Sequence, residues 1–204
     1  MFYNILDKKR LAILPLLKNF KAEFYLAGGT GLALQIGHRD SVDFDFFSPH
    51  SFDTSELFRK VKEVFAGHKL QKVQEENNTL TVIVGGAVKL SFFTYQYKLL
   101  KKPLATENLK LASILDIACM KLSAIVSRAT TKDYIDLYFI LQQEPLTMLI
   151  KAMRRKMPEL DPNLALKSLT YFQDIQREPI RFRNNHNIAF SQVKDFLVRE
   201  VRNL

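Results

Sequence analysis

Residues 24–47 read FYLAGGTGLALQIGHRDSVDFDFF, and the rest of the chain is interpreted outward from them. Phe24 to Ala27 has the length and apolarity of a short buried strand, Thr30 to Ile36 the pattern of an amphipathic helix closed by Gly37, and Val42 to Phe47 that of a second strand. Side chains two residues apart on a strand share a face. Asp43 and Asp45 therefore stand together, with Val42, Phe44 and Phe46 turned the other way. Two carboxylates set in so apolar a run need a cation or a basic partner. Paired hard oxygen ligands suit Mg2+ or Mn2+, which keeps several waters and takes further ligands from substrate phosphates. Gly28 and Gly29 let backbone N–H groups at the mouth of the helix approach an anion, and Thr30 adds a hydroxyl there. The combination points to a metal-bound nucleoside triphosphate. Each half also has an ordinary explanation, a tight turn and a solvated Asp-x-Asp. Their occurrence on consecutive elements favours the functional one.

Other phosphate motifs fit this stretch less well. Gly29-Thr30-Gly31 lacks the third glycine of a dinucleotide fingerprint, and no Gly-Lys-Ser/Thr follows as in a P-loop. In the connecting loop, Arg39 can hold a phosphate bidentately, and Ser41 precedes Asp43 by two residues, at the edge of the metal position. His38 and Arg39 equally well end the helix, as positive charge at its C-terminus.

Around this centre the expected class is α/β (α+β). Ile5 to Leu17 reads as an opening helix that Pro15 kinks or ends, and Ser51 to Ala66 as another helix. Leu70 to Glu75, Thr79 to Val84 and Ala87 to Tyr95 read as strands joined by turns at Asn77-Asn78 and Gly85-Gly86, giving a mixed five-stranded sheet. Lys98 to Asn108, with Pro103 and no clear period, is the best linker, which divides the chain into an α/β lobe (1–97) and a helical lobe (98–204). Ser113 with Asp116 and Thr130 with Asp133 are capping boxes before helices at Ile114–Arg128 and Thr131–Gln142. Further helices are expected over Pro145–Met157, Pro162–Ile175 and Phe190–Val201. Lys121 and Arg128, two turns apart on an otherwise apolar helix, can grip phosphates; a snorkelling lysine is the plain alternative. Asp133 can be merely a capping residue, and Lys132 and Asp136 can pair at i,i+4.

In bulk, 204 residues with 47% hydrophobic content suffice for a real core, and 30 Lys and Arg against 21 Asp and Glu favour polyanionic partners such as RNA, an acidic protein or a triphosphate. No apolar run reaches the roughly 18–20 residues of a membrane span, and no secretory leader is evident, so a cytoplasmic protein is expected. Cys119, the only cysteine, excludes an intrachain disulfide, and His38, His50, His68 and His186 show no zinc spacing. Arg154, Arg155 and Lys156 suit either an RNA backbone or a solvated helix face.

The Gly-Gly pair followed by Asp-x-Asp resembles the signature of nucleotidyltransferases with the DNA polymerase beta fold. More narrowly, LAGGTGLALQIGHRDSVDFDFF, VKLSFFTY and DIACMKLSAIVSRATTKDYIDLYFIL are similar, in order, to the AbiEii/AbiGii toxin family of nucleotidyltransferases. The resemblance adds to the reading of the residues themselves, in which Asp43 and Asp45 are the catalytic, metal-binding acids and Gly28, Gly29, Thr30, Arg39, Ser41 and Arg128 serve the nucleotide. It implies that Lys121 contacts the nucleotide or its triphosphate and that Asp133 or Asp136 is a further essential acid. The implied protein is a toxin-like enzyme that transfers a nucleotide to an acceptor such as the 3′ end of tRNA and has a separately encoded antitoxin. Ser91 departs from the pattern, since it stands where a third carboxylate is expected. Either Asp133 or Asp136 then supplies the missing acid, or the protein is weakly active or a catalytically silent binding module; independently of Ser91, the same chemistry on a protein or small-molecule acceptor stays open.

Overall fold

The computed structural model describes residues 1–204. The two apolar runs of the opening stretch form adjacent antiparallel strands, β1 (Tyr25–Leu26) and β2 (Phe44–Ser48), with Tyr25 opposite Phe47. Between them lies helix α2 (Gly28–Ile36), which Gly37 ends in the left-handed conformation. Ahead of β1, the expected opening helix is broken into three pieces. A 3-10 turn at Tyr3–Ile5 is followed by helix α1 (Lys8–Ile13), capped by Asp7, and by a second 3-10 stretch at Leu14–Phe20 that starts around Pro15. Proline tolerates this tighter turn, in which it need not donate an i−4 hydrogen bond.

Helix α3 (Thr54–Val64) leads into strands β3 (Leu70–Glu76), β4 (Thr79–Val84) and β5 (Val88–Thr94), with their turns at Asn77-Asn78 and Gly85-Gly86 as expected. Asn78, Gly85 and Gly86 all have positive φ, the backbone form that tight hairpins require. β5 then crosses to lie parallel to β2, with Phe44 beside Leu90 and Asp45 beside Ser91.

The sheet has seven strands in the order β3-β4-β5-β2-β1-β7-β6, which corrects the expected five. The additions are β6 (Leu104–Ala105) and β7 (Lys110–Leu111), and β6 lies inside the stretch read as a linker. Two-residue strands are too short to show a period, so the sequence gives them no signal. β7 pairs parallel with β1 through Leu26 and Leu111, which ties this connection into the sheet.

Helices α4 (Ile114–Ser127), α5 (Thr131–Leu141), α6 (Leu146–Lys156), α7 (Pro162–Thr170) and α8 (Phe190–Arg202) complete the chain. Both expected boxes are present in their N-cap half: Ser113 Oγ accepts from Asp116 N at 3.0 Å and Thr130 Oγ1 from Asp133 N at 3.4 Å, while the acids return to the hydroxyls and not to the cap backbone. Helix α7 ends at Thr170 rather than Ile175. The irregular segment that follows bridges to Thr130 through Gln176 and to Arg39 through Phe182.

Two hydrophobic clusters flank the sheet. One joins Phe44, Phe46, Leu90 and Phe92 to α1 and α3; the other joins Tyr25 and Ala27 to α4 through α8. The alternation of β2 thus buries Phe44 and Phe46 and leaves Asp45 and Phe47 on the other face. No helix is long and apolar enough to cross a membrane.

Candidate active site

Asp45 lies on β2 and Asp43 just before it, on the face opposite Phe44 and Phe46. The basic partner that the sequence demanded is Lys89, whose Nζ is 3.1 Å from Asp43 Oδ2. Asp45 itself forms neither an ion pair nor a side-chain hydrogen bond. Burial, and after it the charge of Asp43, push its carboxyl above the usual carboxylate range. A desolvated carboxylate without a partner, next to a second one, is a site waiting for positive charge.

Gly28 and Gly29 begin α2, and no side chain caps this helix end. Gly28 has φ +62°, and a Cβ on it would stand 3.1 Å from Asp45 Oδ2. A Cβ on Gly29 would meet Arg39 Nη2 at 2.5 Å and Ser41 Oγ at 3.2 Å. The glycine pair is therefore what lets the helix mouth, Asp45 and the Arg39–Ser41 loop close on one another. Thr30 is 1% exposed. Its hydroxyl binds the carbonyl of Asp43 and, at 2.7 Å, Ser41 Oγ, fixing the loop that leads into the aspartates.

Behind the helix mouth lies a buried ionic network. Arg39, 3% exposed, is bidentate to Asp136, with Nε to Oδ1 and Nη2 to Oδ2 each 2.7 Å. The fork that the sequence offered to a phosphate is thus closed on a carboxylate. Lys121 Nζ lies 2.6 Å from Asp136 Oδ2 and 2.7 Å from Asp133 Oδ1, and Arg128 Nε 3.2 Å from Asp133 Oδ2. His38 Nε2 donates to Asp136 Oδ1 at 2.7 Å; an ionised carboxylate only accepts, so Nε2 carries the proton. Burial alone would raise the Asp136 carboxyl, but Arg39, Lys121 and His38 prevail and hold it well below its ordinary range. Lys121 and Arg128 overcome the burial of Asp133 in the same direction. Burial is the larger influence on His38 and lowers it, which keeps the imidazole neutral.

The structure brings Arg39, Lys121, Arg128, Asp133 and Asp136 into one network, and Lys121, expected to contact a nucleotide, is closed on the two aspartates. Asp133 and Asp136, read as acids near a metal, have their oxygens taken up by cations. Lys132 pairs with Glu178 at 3.0 Å, not with Asp136. Arg128 alone in the network reaches solvent, with its side chain 63% exposed. Lys156 is no surface cation: its side chain is fully buried and lies 2.8 Å from Asp116. Cys119 is buried as expected, its thiol pushed up to about 12 by desolvation.

Ser91 sits beside Asp45 in the β2–β5 register, within 3.4 Å of Thr81 Oγ1. The departure from the expected third carboxylate is therefore directly next to the acids. Sequence reading missed Lys89, although its spacing from Ser91 puts it on the same face of β5. It also missed the segment after α7, where Asp40 N donates to Arg181 O and Arg183 N to His38 O. That segment has no regular period to read.

Comparison with known proteins identifies the family and the fold. A relative from Aquifex aeolicus, an uncharacterised protein, is 34% identical over 88% of this chain and 87% of its own length. Among solved structures, JHP933 from Helicobacter pylori superposes with a TM-score of 0.59 over 97% of this chain and 92% of that one, at 17% identity. MenT4, a nucleotidyltransferase toxin of Mycobacterium tuberculosis, gives 0.59 over 95% and 82%, at 16% identity. At such identities the likeness is one of fold. Residues 16–198 match the family described as nucleotidyl transferase AbiEii toxin, type IV toxin–antitoxin system, and the chain belongs to that family.

Proposed function

We propose that the protein is a metal-dependent nucleotidyltransferase that moves a nucleoside monophosphate from a triphosphate to an acceptor, with the 3′ end of tRNA the acceptor of choice, and that a separately encoded antitoxin restrains it. The observation that carries this reading is Asp45, desolvated and unpartnered beside Asp43, with its oxygen against the side-chain-free mouth of α2. The donor set fits a hard divalent cation: two carboxylates on one face, with Asp45 Oδ2 close to the backbone of Gly28. Asp43 and Asp45 would hold the ion. When bound, Mg2+ or Mn2+ neutralises charge on the triphosphate and on the transition state for its cleavage.

The chain's own groups do the rest. Gly28 and Gly29 leave backbone N–H groups free to approach the phosphates at a helix N-terminus. Thr30 and Ser41 hold the loop that places Asp43. Arg39 and Lys121 supply fixed positive charge behind the glycines, where a low-dielectric setting strengthens it. Asp133 and Asp136 keep those cations aimed, and exposed Arg128 is free to meet the leaving pyrophosphate. Arg154 and Arg155, on the surface of α6, suit an RNA backbone.

The test is incubation with Mg2+, each of four α-labelled nucleoside triphosphates and total tRNA, with the Asp43→Ala/Asp45→Ala double variant as control. Label in tRNA that needs the aspartates establishes the reaction and names the base. Label in protein or small molecules moves the acceptor. Ser91 beside Asp45 favours one second reading, a silent nucleotide-binding module; nucleotide binding that is indifferent to Mg2+ and gives no labelled product would support it.

A further inference from the structure

The face of the sheet that carries Asp43 and Asp45 continues beyond them. Cross-strand partners share a face, so the registers Tyr25–Phe47, Phe47–Phe93 and Phe93–Thr79 set one row of side chains across β1, β2, β5 and β4. This row runs alongside that of Asp45, Ser91 and Thr81. It is mostly aromatic. The Phe47 ring lies 6.0 Å from that of Tyr25, 5.5 Å from Phe93 and 5.8 Å from Tyr95, and Tyr97 stands 5.0 Å from Tyr95.

Packing accounts for only part of the row. Tyr25 and Phe47 adjoin the helical cluster, but Phe93 is half-buried and joins neither core. On the reverse of the same strands Leu90 and Phe92 are sealed. Phe93 is thus a partly exposed ring two residues along β5 from the position beside Asp45, roughly 7 Å away. Lysines outnumber acids around it, the acids being Asp43 and Asp45 on the same face and Glu159, which accepts from the Tyr97 hydroxyl at the end of the row. On this face β4 and β5 carry Thr79, Thr81, Ile83, Lys89, Ser91 and Phe93, with no acid among them. Just past Tyr97, Lys98, Lys101 and Lys102 are exposed, and none of them forms an ion pair. On the α2 side of the acids Arg39, Lys121 and Arg128 gather; on the β5 side half-buried Lys89 and Phe93 flank buried Ser91.

We infer that the Phe47–Phe93–Tyr95 row receives the unpaired terminal base of a single-stranded nucleic acid whose 3′ hydroxyl comes to the acids. Lys98, Lys101 and Lys102 take its backbone phosphates. The inference rests on the reading of Asp43 and Asp45 as the transfer centre, and it names the acceptor class that this centre serves. Stacking on an aromatic ring accepts any base, and loss of such a ring costs roughly tenfold or more in affinity.

The sequence contains no tryptophan, so Phe93→Trp introduces a single indole at the surface in question. The probes are a single-stranded RNA hexamer, the same hexamer ending in an abasic residue, and ATP or CTP alone, each without the other substrate so that no turnover occurs. The expected result is saturable quenching by the intact hexamer, binding about tenfold weaker for the abasic one, and no quenching by either triphosphate. Quenching by a triphosphate alone would assign the row to the incoming nucleotide and overturn the inference; equal affinity for the abasic hexamer, or no quenching at all, would overturn it too. In a transfer assay Phe93→Ala should raise the acceptor KM about tenfold and leave the nucleotide KM unchanged, and an unchanged acceptor KM would count against the row. The two readings fail separately. Quenching without label transfer by the native protein retires the transfer reading and keeps the base site; label transfer into RNA without quenching retires the base site alone.

Discussion

Asp45 and Ser91 are partners across the parallel pair of β2 and β5, so the hydroxyl that replaces an expected carboxylate sits one strand away from the residue best placed to hold a metal. Ser91 is 3% exposed, and a carboxylate there adds a second desolvated charge. Ser91→Asp should therefore lower the melting temperature in chelator and reduce the Mg2+ concentration for half-maximal transfer several-fold. A divalent-ion titration of activity, with melting curves with and without Mg2+, checks both.

Asp45 carries an unfavourable charge that function retains. Its folded carboxyl is raised, so its favourable contribution is complete below the ordinary carboxylate range and is lost as pH rises through the raised value. Asp45→Asn should abolish transfer and stabilise the metal-free protein at neutral pH, by about 1 kcal/mol or roughly 2–4 °C for a chain of this size. Mg2+ should raise the melting temperature of the native protein and leave that of the variant unchanged.

Asp136 has the opposite sign. Its folded carboxyl lies well below the ordinary range, so its contribution is present above that range and is lost as pH falls through it toward the folded value. Asp136→Asn leaves Arg39 and Lys121 without their shared anion and should cost about 3–5 kcal/mol at pH 7. The gap from the native protein should narrow below about pH 4, as followed by urea unfolding at a series of pH values.

Gly28→Ala separates strain from obstruction. A non-glycine residue at φ +62° costs about 1–2 kcal/mol, and the new methyl meets Asp45 Oδ2 at 3.1 Å. Gly67, at φ +89°, has nothing within 4 Å of such a methyl. Gly67→Ala should lose comparable stability and keep its activity, whereas Gly28→Ala should lose at least tenfold in kcat/KM as well.

The basic triplet of α6 divides by burial. Lys156→Met leaves Asp116 without its ammonium and should lower stability by about 3 kcal/mol, with little effect on the salt dependence of RNA binding. Arg154→Ala/Arg155→Ala should do the reverse and flatten the slope of log affinity against log salt by up to about 2.

The elements carrying the candidate site were legible because they obey short-range rules. The Asp43–Asp45 spacing, the glycine pair and both capping boxes depend on neighbours within a few residues. What escaped depends on distant parts of the chain. Nothing near Asp136 in the sequence shows that Arg39 and Lys121 will close on it, and nothing near Lys156 shows that Asp116 lies under it. The third piece is a register. Ser91 could be recognised as a departure from a pattern, but its place beside Asp45 is set by a crossover that returns β5 parallel to β2.

The segment after α7 sets a condition on when the site can exist. Phe182 bridges to Arg39, Arg183 pairs with Asp40, and Gln176 bridges to Thr130, so both loops that position the basic groups are fastened by residues synthesised after them. During synthesis the aspartate strand emerges long before its supports do, and a nascent chain stopped short of Arg183 lacks these fastenings. Such an order of assembly ties the completion of this site to the synthesis of the segment that follows α7.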